Sequence, residues 1–216
     1  MNKTEIAYPR IIFSLLVYFL FPLSADFLNS MVDSPTITAT LITSAIAFVL
    51  ILFNWDVLQR HIRRFSEDLK EGLLFFVIGL LAAGVLMLFN HFFLHAPIWE
   101  LENDILLHYT FFLPLILLVY SVCSALSFSL AFKILMDRIH LPVRESFNIL
   151  ISGVLFGLLC TLSMTPGTPE LFLRLFLFEF LFAALASYLY NQTHSIIPMV
   201  LAHSLVLLIC GILTVL

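Results

Sequence analysis

The stretch RHIRRFSEDLKEGLLFFVIGLLAAGVLMLFNHFF, residues 60–93, decides the fold. Its opening carries Arg60, Arg63, Arg64 and Lys70, and from Gly72 to Phe93 no Lys, Arg, Asp or Glu interrupts the apolar run. A bilayer's hydrocarbon takes about 20 apolar residues per helix, and backbone inside it must satisfy its own hydrogen bonds. The run therefore reads as a membrane-spanning helix. Its basic flank is held on the cytoplasmic side, because Lys and Arg in short loops stay there.

The same unit repeats along the chain. Candidate spans cover residues 11–27, 36–55, 72–93, 111–135, 147–164, 171–190 and 195–216. Lys3 and Arg10 precede the first, the four basic residues above separate the second from the third, and Lys133, Arg138 and Arg144 separate the fourth from the fifth. These are nine of the 10 Lys and Arg residues, and the remaining loops are neutral or acidic. Every second loop is then cytoplasmic. The expected architecture is an all-α, polytopic bundle of about seven transmembrane helices, N-terminus in and C-terminus out, forming one domain over residues 1–216. Only Arg174 departs from the charge pattern.

Composition agrees. Hydrophobic residues make up 62% of the 216 residues and charged ones 11%, with a mean hydropathy of +1.09. Soluble domains usually carry about a quarter charged residues. A basic surface for nucleic acid is absent from the pattern, so the lipid bilayer is the first partner expected. Cys123, Cys160 and Cys210 lie inside apolar runs, odd in number and without paired spacing, which argues for packing residues rather than a disulfide framework. The opening MNKTEIAYPR carries both charge signs and no small-residue cleavage site follows, so the first run reads as a retained helix.

Breakers mark the joints. Ser34-Pro35, Ala96-Pro97 and the run 165–169 are turn material, and Trp55 and Trp99 read as interfacial anchors. Ser66, followed by Glu67 and Asp68, reads as a cap feeding the third span. Residues 105–135 are too long for one helix, with Pro114 interrupting them, so an interfacial or kinked segment is expected before the fourth span. Phe172, Phe176 and Phe180 recur at helical spacing and read as packing residues.

Ionisable groups at membrane depth mark function by default. Asp26, Arg174, Glu179 and His203 are the four. Glu179 and His203 fall at similar depth on antiparallel neighbours, where a direct pair is one expectation. Arg174 is off the favoured helical spacing from Glu179, which leaves the Glu170 region or another helix as its partner. Cys160 and Glu179 are adequate companions for His203 in a metal site, but a zinc site takes three or four donors and no spacing forces them together. A Cys160–His203 nucleophilic pair is a further alternative.

At these residues the C-terminal half resembles the CAAX protease and bacteriocin-processing (Abi) family of intramembrane proteases. LISGVLFGLLCTL is similar to that family's second motif through Ser152, Phe156 and Gly157, with Cys160 at the position of a histidine. THSIIPMVLAHSLVLL resembles its final motif, His203 taking the family's histidine position and Leu207 replacing a polar residue. In place of the family's Glu-Glu and Phe-Arg-Gly motif, SALSFSLAFKIL puts Ser124 and Ala125 where the glutamates belong, matches Phe128, and has Ser129 and Leu130 for Arg and Gly. The resemblance covers residues 56–212.

The resemblance implies a peptidase scaffold in which glutamates and histidines activate water, with or without metal. Serine and alanine cannot do that work, because general acid-base catalysis needs a titratable group within reach of the water. The expected function is a non-catalytic member in a bacterial cytoplasmic membrane that uses no cofactor and binds another membrane or cell-envelope protein, as in bacteriocin self-immunity or regulation of a wall-modifying enzyme. The alternatives are an active endopeptidase with a site rebuilt from His203, Glu179 and Cys160, zinc included, and a small transporter component with Asp26, Arg174 and Glu179 along a polar pathway.

Overall fold

The computed structural model describes residues 8–32, 34–96, 112–136, 145–164 and 166–215, with the backbone alone at Asp26, Glu145 and residues 214–215. Lys3, Arg138, Arg144, Trp99 and the segment expected over residues 105–111 lie outside them. Among the described residues the chain is all helical, without a strand. The helices are α1 (Tyr8–Leu20), α2 (Ala25–Val32), α3 (Pro35–Phe53), α4 (Trp55–Glu67), α5 (Leu69–Phe89), α6 (Leu113–Met136), α7 (Glu145–Ser163), α8 (Pro169–Thr193) and α9 (Ile197–Val215).

Five segments are long and apolar enough to cross a membrane: Pro35–Phe53, Leu69–Leu94, Leu113–Met136, Ser146–Ser163 and Pro169–Thr193. The apolar stretches Tyr8–Ser24 and Ile197–Leu213 are shorter. The first expected span is not one helix. A 3-10 turn at Phe21–Ser24, with Pro22 near its start, separates α1 from α2, since proline removes a backbone donor and crowds the preceding turn. Pro114, read from sequence as an interruption, sits in the first turn of α6, where its missing N–H costs nothing. Ser34 caps α3, its Oγ accepting from the Ile37 N–H at 3.3 Å, and Thr168 caps α8 in the same way at 3.2 Å from the Leu171 N–H.

The expected Ser66 cap falls elsewhere. Ser66 is inside α4 and donates to the Arg63 carbonyl, and the chain breaks at Asp68, whose side chain makes no cap bond. The α5 helix ends in a wider turn over Asn90–Leu94. There the Asn90 amide donates to the Ala96 carbonyl at 3.1 Å and its Oδ1 accepts from the Ala96 N–H at 3.0 Å, closing the loop reciprocally.

Helix α6 runs through the middle, packed on α3, α9 and α1, while α5 packs on α9 and α8, and α7 makes its broad contact with α8. One apolar core joins Phe128 and Phe132 of α6 to Phe156 of α7, Phe178 and Phe182 of α8, Met199 and Val206 of α9 and Ala83 of α5. A second joins Ile42, Ile46 and Leu50 of α3 to Ala125 and Leu130 of α6 and Val200 of α9. Large apolar side chains such as Phe48, Leu74, Leu81, Val85 and Leu88 point outward and stay exposed, the surface a hydrocarbon solvent would cover.

Of the basic residues read from sequence as lying on one side, Arg10, Arg64 and Lys133 share one end of the bundle among the described residues. Arg10 at the start of α1 donates from Nε to Asn54 Oδ1 at 3.0 Å and pairs with Asp56. Arg64 Nη1 donates to the His194 carbonyl at 3.0 Å, and Ser195 Oγ donates to the His61 carbonyl at 2.9 Å. These bonds fasten α4 across the end of the α8–α9 turn. His194 takes the left-handed conformation there, φ 51°, which ends α8 as a glycine commonly does.

Asn54 is the hub of this end. It is fully buried at the joint between α3 and α4, its Nδ2 donating to Ser14 Oγ at 3.0 Å and to the Leu50 carbonyl at 2.9 Å. Asn54→Leu strands the Ser14 hydroxyl and deprives Arg10 of an acceptor. The expected cost is about 1–3 kcal/mol, read as a lowered thermal midpoint in detergent. Ser30→Ala, whose hydroxyl only returns to its own helix at Phe27, should leave the midpoint within about 0.5 kcal/mol of wild type.

Candidate functional site

Three of the positions quoted for the family resemblance, Phe128, Phe156 and His203, come together in the core. Phe128 of α6 meets Phe156 of α7 edge-on, ring centroids 5.2 Å apart, and meets His203 of α9 at 5.3 Å and 88°. Phe182 of α8 meets His203 at 4.5 Å and 68°. The imidazole is thus walled by two aromatic rings. Its Nδ1 is buried and has no hydrogen-bond partner among the described residues.

Glu179 belongs to a different group. It is buried on α8, and the Cys160 thiol of α7 lies within hydrogen-bonding reach of both its carboxyl and the Tyr18 hydroxyl of α1. No hydrogen bond or ion pair joins Glu179 to His203, so the direct pair expected from their shared depth does not form. Depth fixed the level of each residue, but rotation about the helix set its neighbours. Phe182, one turn along α8 from Glu179, takes the place beside the imidazole.

What puts the carboxyl over Cys160 is the close approach of α7 to α8. A Cβ on Gly157 would lie 2.7 Å from the Phe180 nitrogen and 3.1 Å from the Glu179 carbonyl carbon, and one on Gly153 would lie 3.0 Å from the Phe180 oxygen. Glycines four apart let two backbones touch. The GVLFG spacing that signals this is legible in the sequence. Tyr18, the third member of the cluster, carries no signal beyond its place in an apolar run.

The remaining positions lie apart from these groups. Ala125, where the resemblance would place a glutamate, is fully buried in the α3-side core, while Ser124 is half-buried. Ser129 Oγ is buried without a partner among the described residues, beside a small cavity lined by Phe132, Ala186, Tyr190, Ile196 and Met199. Leu207 is buried, and Ser152 donates to the Asn148 carbonyl one turn back. Arg174 pairs with Glu170 on the same helix, one of the two partners expected. Phe172, Phe176 and Phe180 stack in a ladder at 6.3 and 6.1 Å.

Cys160 and Glu179 supply two donors where zinc takes three or four, and His203, turned to the rings, is not a third. Among the described residues no group of three or more His, Cys, Asp and Glu side chains gathers as a metal site would. The arrangement is a buried cluster of thiol, carboxyl and phenol within hydrogen-bonding reach, and it surrounds the imidazole with apolar edges. No family profile, curated protein or solved structure matches the chain.

Proposed function

We propose that this is a bacterial cytoplasmic-membrane protein with seven spans, its basic end and N-terminus inside and its C-terminus outside, built on a frame like that of the Abi peptidases. It acts by binding another membrane or cell-envelope protein rather than by hydrolysis. One observation carries the reading: the Glu179 carboxyl lies by Cys160, which in turn lies by Tyr18, while Phe128 and Phe182 occupy the sides of His203. Water activation needs acid and base on one water. The convergence of Phe128, Phe156 and His203 supports the family-like frame, and the absence of glutamates at Ser124 and Ala125 supports the loss of chemistry. The basic end gathers Arg10, Arg60, Arg64 and Lys133, which favours its cytoplasmic placement.

The test is affinity capture from detergent-solubilised membranes, run beside cleavage of a fluorogenic transmembrane peptide. His203→Leu exchanges the imidazole for an apolar group of similar size and removes a buried unpartnered nitrogen, a neutral to stabilising change. The variant and Glu179→Gln are expected to fold, to capture the same stoichiometric partner as the wild type, and to cleave nothing. Peptide cleavage by the purified wild type that disappears in both variants would replace this reading with that of an active peptidase.

A further inference from the structure

Helix α4 crosses the basic end of the bundle on a fixed seat. Asn54 anchors its start through Ser14 and the Leu50 carbonyl, and further along Arg64 and Ser195 tie it to the α8–α9 turn. It packs on α3, α5 and α9. Val57, Leu58 and His61 are buried, so one side of the helix is taken up by that seat.

The other positions divide into two faces. At about 3.6 residues per turn, Asp56, Gln59, Arg63 and Glu67 point away from the seat. All four are exposed, and Arg63 pairs with Glu67 at 2.8 Å, which makes this a water-facing row. Trp55 and Ile62 stand two turns apart and share a stripe roughly 100° round the helix from the buried row. Both stay about half exposed. Two large apolar side chains therefore point sideways, neither into the bundle nor straight out to water.

What lies beside that stripe follows from its two ends. Leu52 and Phe53 close α3 just before it, and Leu69, Leu73 and Leu74 open α5 just after it, all exposed on helices long and apolar enough to cross a membrane. The stripe thus joins two outward apolar surfaces at the level where these spans end and begin. Two side chains are too few for a protein interface, which takes about 20–30 residues a side. Tryptophan favours the headgroup level, and an interfacial helix buries its apolar face about 5–10 Å into the boundary with the acyl chains.

We infer that α4 lies along the lipid headgroup layer at the basic end, its Trp55 and Ile62 flank dipped into the acyl boundary and its Arg63 row in water. The placement rests on the spans lying in a bilayer, and it needs neither the peptidase-like frame nor a protein partner. Seated this way, α4 holds the α8–α9 turn that it clasps at the membrane surface.

The experiment uses the tryptophans themselves, of which the chain has two. Trp99→Phe leaves Trp55 as the sole emitter. The full chain is placed in phosphatidylcholine vesicles carrying bromine either near the head of the acyl chain or near its terminal methyl, with iodide available on both sides of the membrane as the aqueous quencher. Bromine near the head should quench Trp55 at least about twofold more than bromine near the methyl, because an interfacial face reaches only that shallow level. Iodide should quench it little. With both tryptophans changed to phenylalanine as background, Ile62→Trp should repeat the pattern, and Arg63→Trp should respond to iodide and to neither bromolipid. Leu81→Trp, exposed near the middle of the Leu69–Leu94 span, should respond most to bromine near the methyl. Trp55 emission that follows iodide as Arg63→Trp does, while Leu81→Trp still reports lipid, overturns the placement of α4 and leaves the spans standing. Stronger quenching of Trp55 by bromine near the methyl also overturns it, by sinking α4 into the hydrocarbon. If Leu81→Trp shows no lipid quenching, the bilayer reading falls and the α4 placement falls with it. Should Ile62→Trp not fold, Trp55 decides.

Discussion

Replacing Gly157 by leucine is expected to leave almost no folded protein in detergent, and even Gly157→Ala should lower stability by about 1–3 kcal/mol, the range for forcing extra atoms into a close-packed contact. The reason is what the added carbon meets. At 2.7 Å from the Phe180 nitrogen and 2.8 Å from its Cα, the obstruction is backbone, so no side chain can swing away and α8 as a whole must retreat. Retreat would draw Glu179 off Cys160 and open the contact of Gly153 with Phe180. Gly84 of α5 provides the control, since a Cβ there meets nothing within 4 Å. Gly84→Ala should hold or gain up to about 1 kcal/mol through helix propensity. Thermal unfolding followed by light scattering reads both variants. A Gly157→Ala midpoint equal to wild type would show that α7 and α8 are not held at this distance.

Much of the helical layout was legible because it follows from solvent. Runs of apolar residues and the placing of Arg60, Arg63, Arg64 and Lys133 report on hydrocarbon and charge, and the structure gathers Arg10, Arg64 and Lys133 at one end as read. The break at Phe21–Ser24 was hidden because a hydropathy window averages over a turn. The pairing of Glu179 with Cys160 and Tyr18, and of His203 with Phe128 and Phe182, was hidden for a different reason. Which neighbour a buried side chain meets depends on helix rotation, and rotation here is set by glycines on a partner helix. The Arg174–Glu170 pair was within reach because it needs only i,i+4 spacing. His61 carries no signal of its own in the sequence, and Lys133 reads there only as one of the basic residues between the fourth and fifth spans. Only the fold shows that α4 lies over the α8–α9 turn and buries them together.

That burial makes the protein acid-sensitive in a definite window. His61 lies on α4, outside the spanning segments, and its imidazole is lowered from 6.5 to about 3, first by burial and then by the charges of Lys133, Arg64 and Arg60, with the bond to the His194 backbone opposing. The unfolded chain takes up a proton below about pH 6.5, whereas the folded chain refuses it until about pH 3. Stability from this group is therefore present above the unfolded pKa and lost as the pH falls through 6.5, the slope approaching about 1.4 kcal/mol per pH unit below about pH 5.5, on the order of 5 kcal/mol across the whole window. Asp56 acts lower. Partial burial pushes its carboxyl up, but the bond to Arg10 and the charges of Arg10 and Arg60 hold it below the usual 3.8, so its contribution is lost only as the pH falls beneath that value. Between pH 6.5 and 4.5 the difference between wild type and His61→Gln isolates the imidazole, since glutamine can still donate to the His194 backbone and does not titrate. The wild-type midpoint should fall over those two units by the equivalent of about 2.3 kcal/mol more than that of the variant. Parallel curves would mean that water reaches His61 and that α4 does not stay seated over the turn.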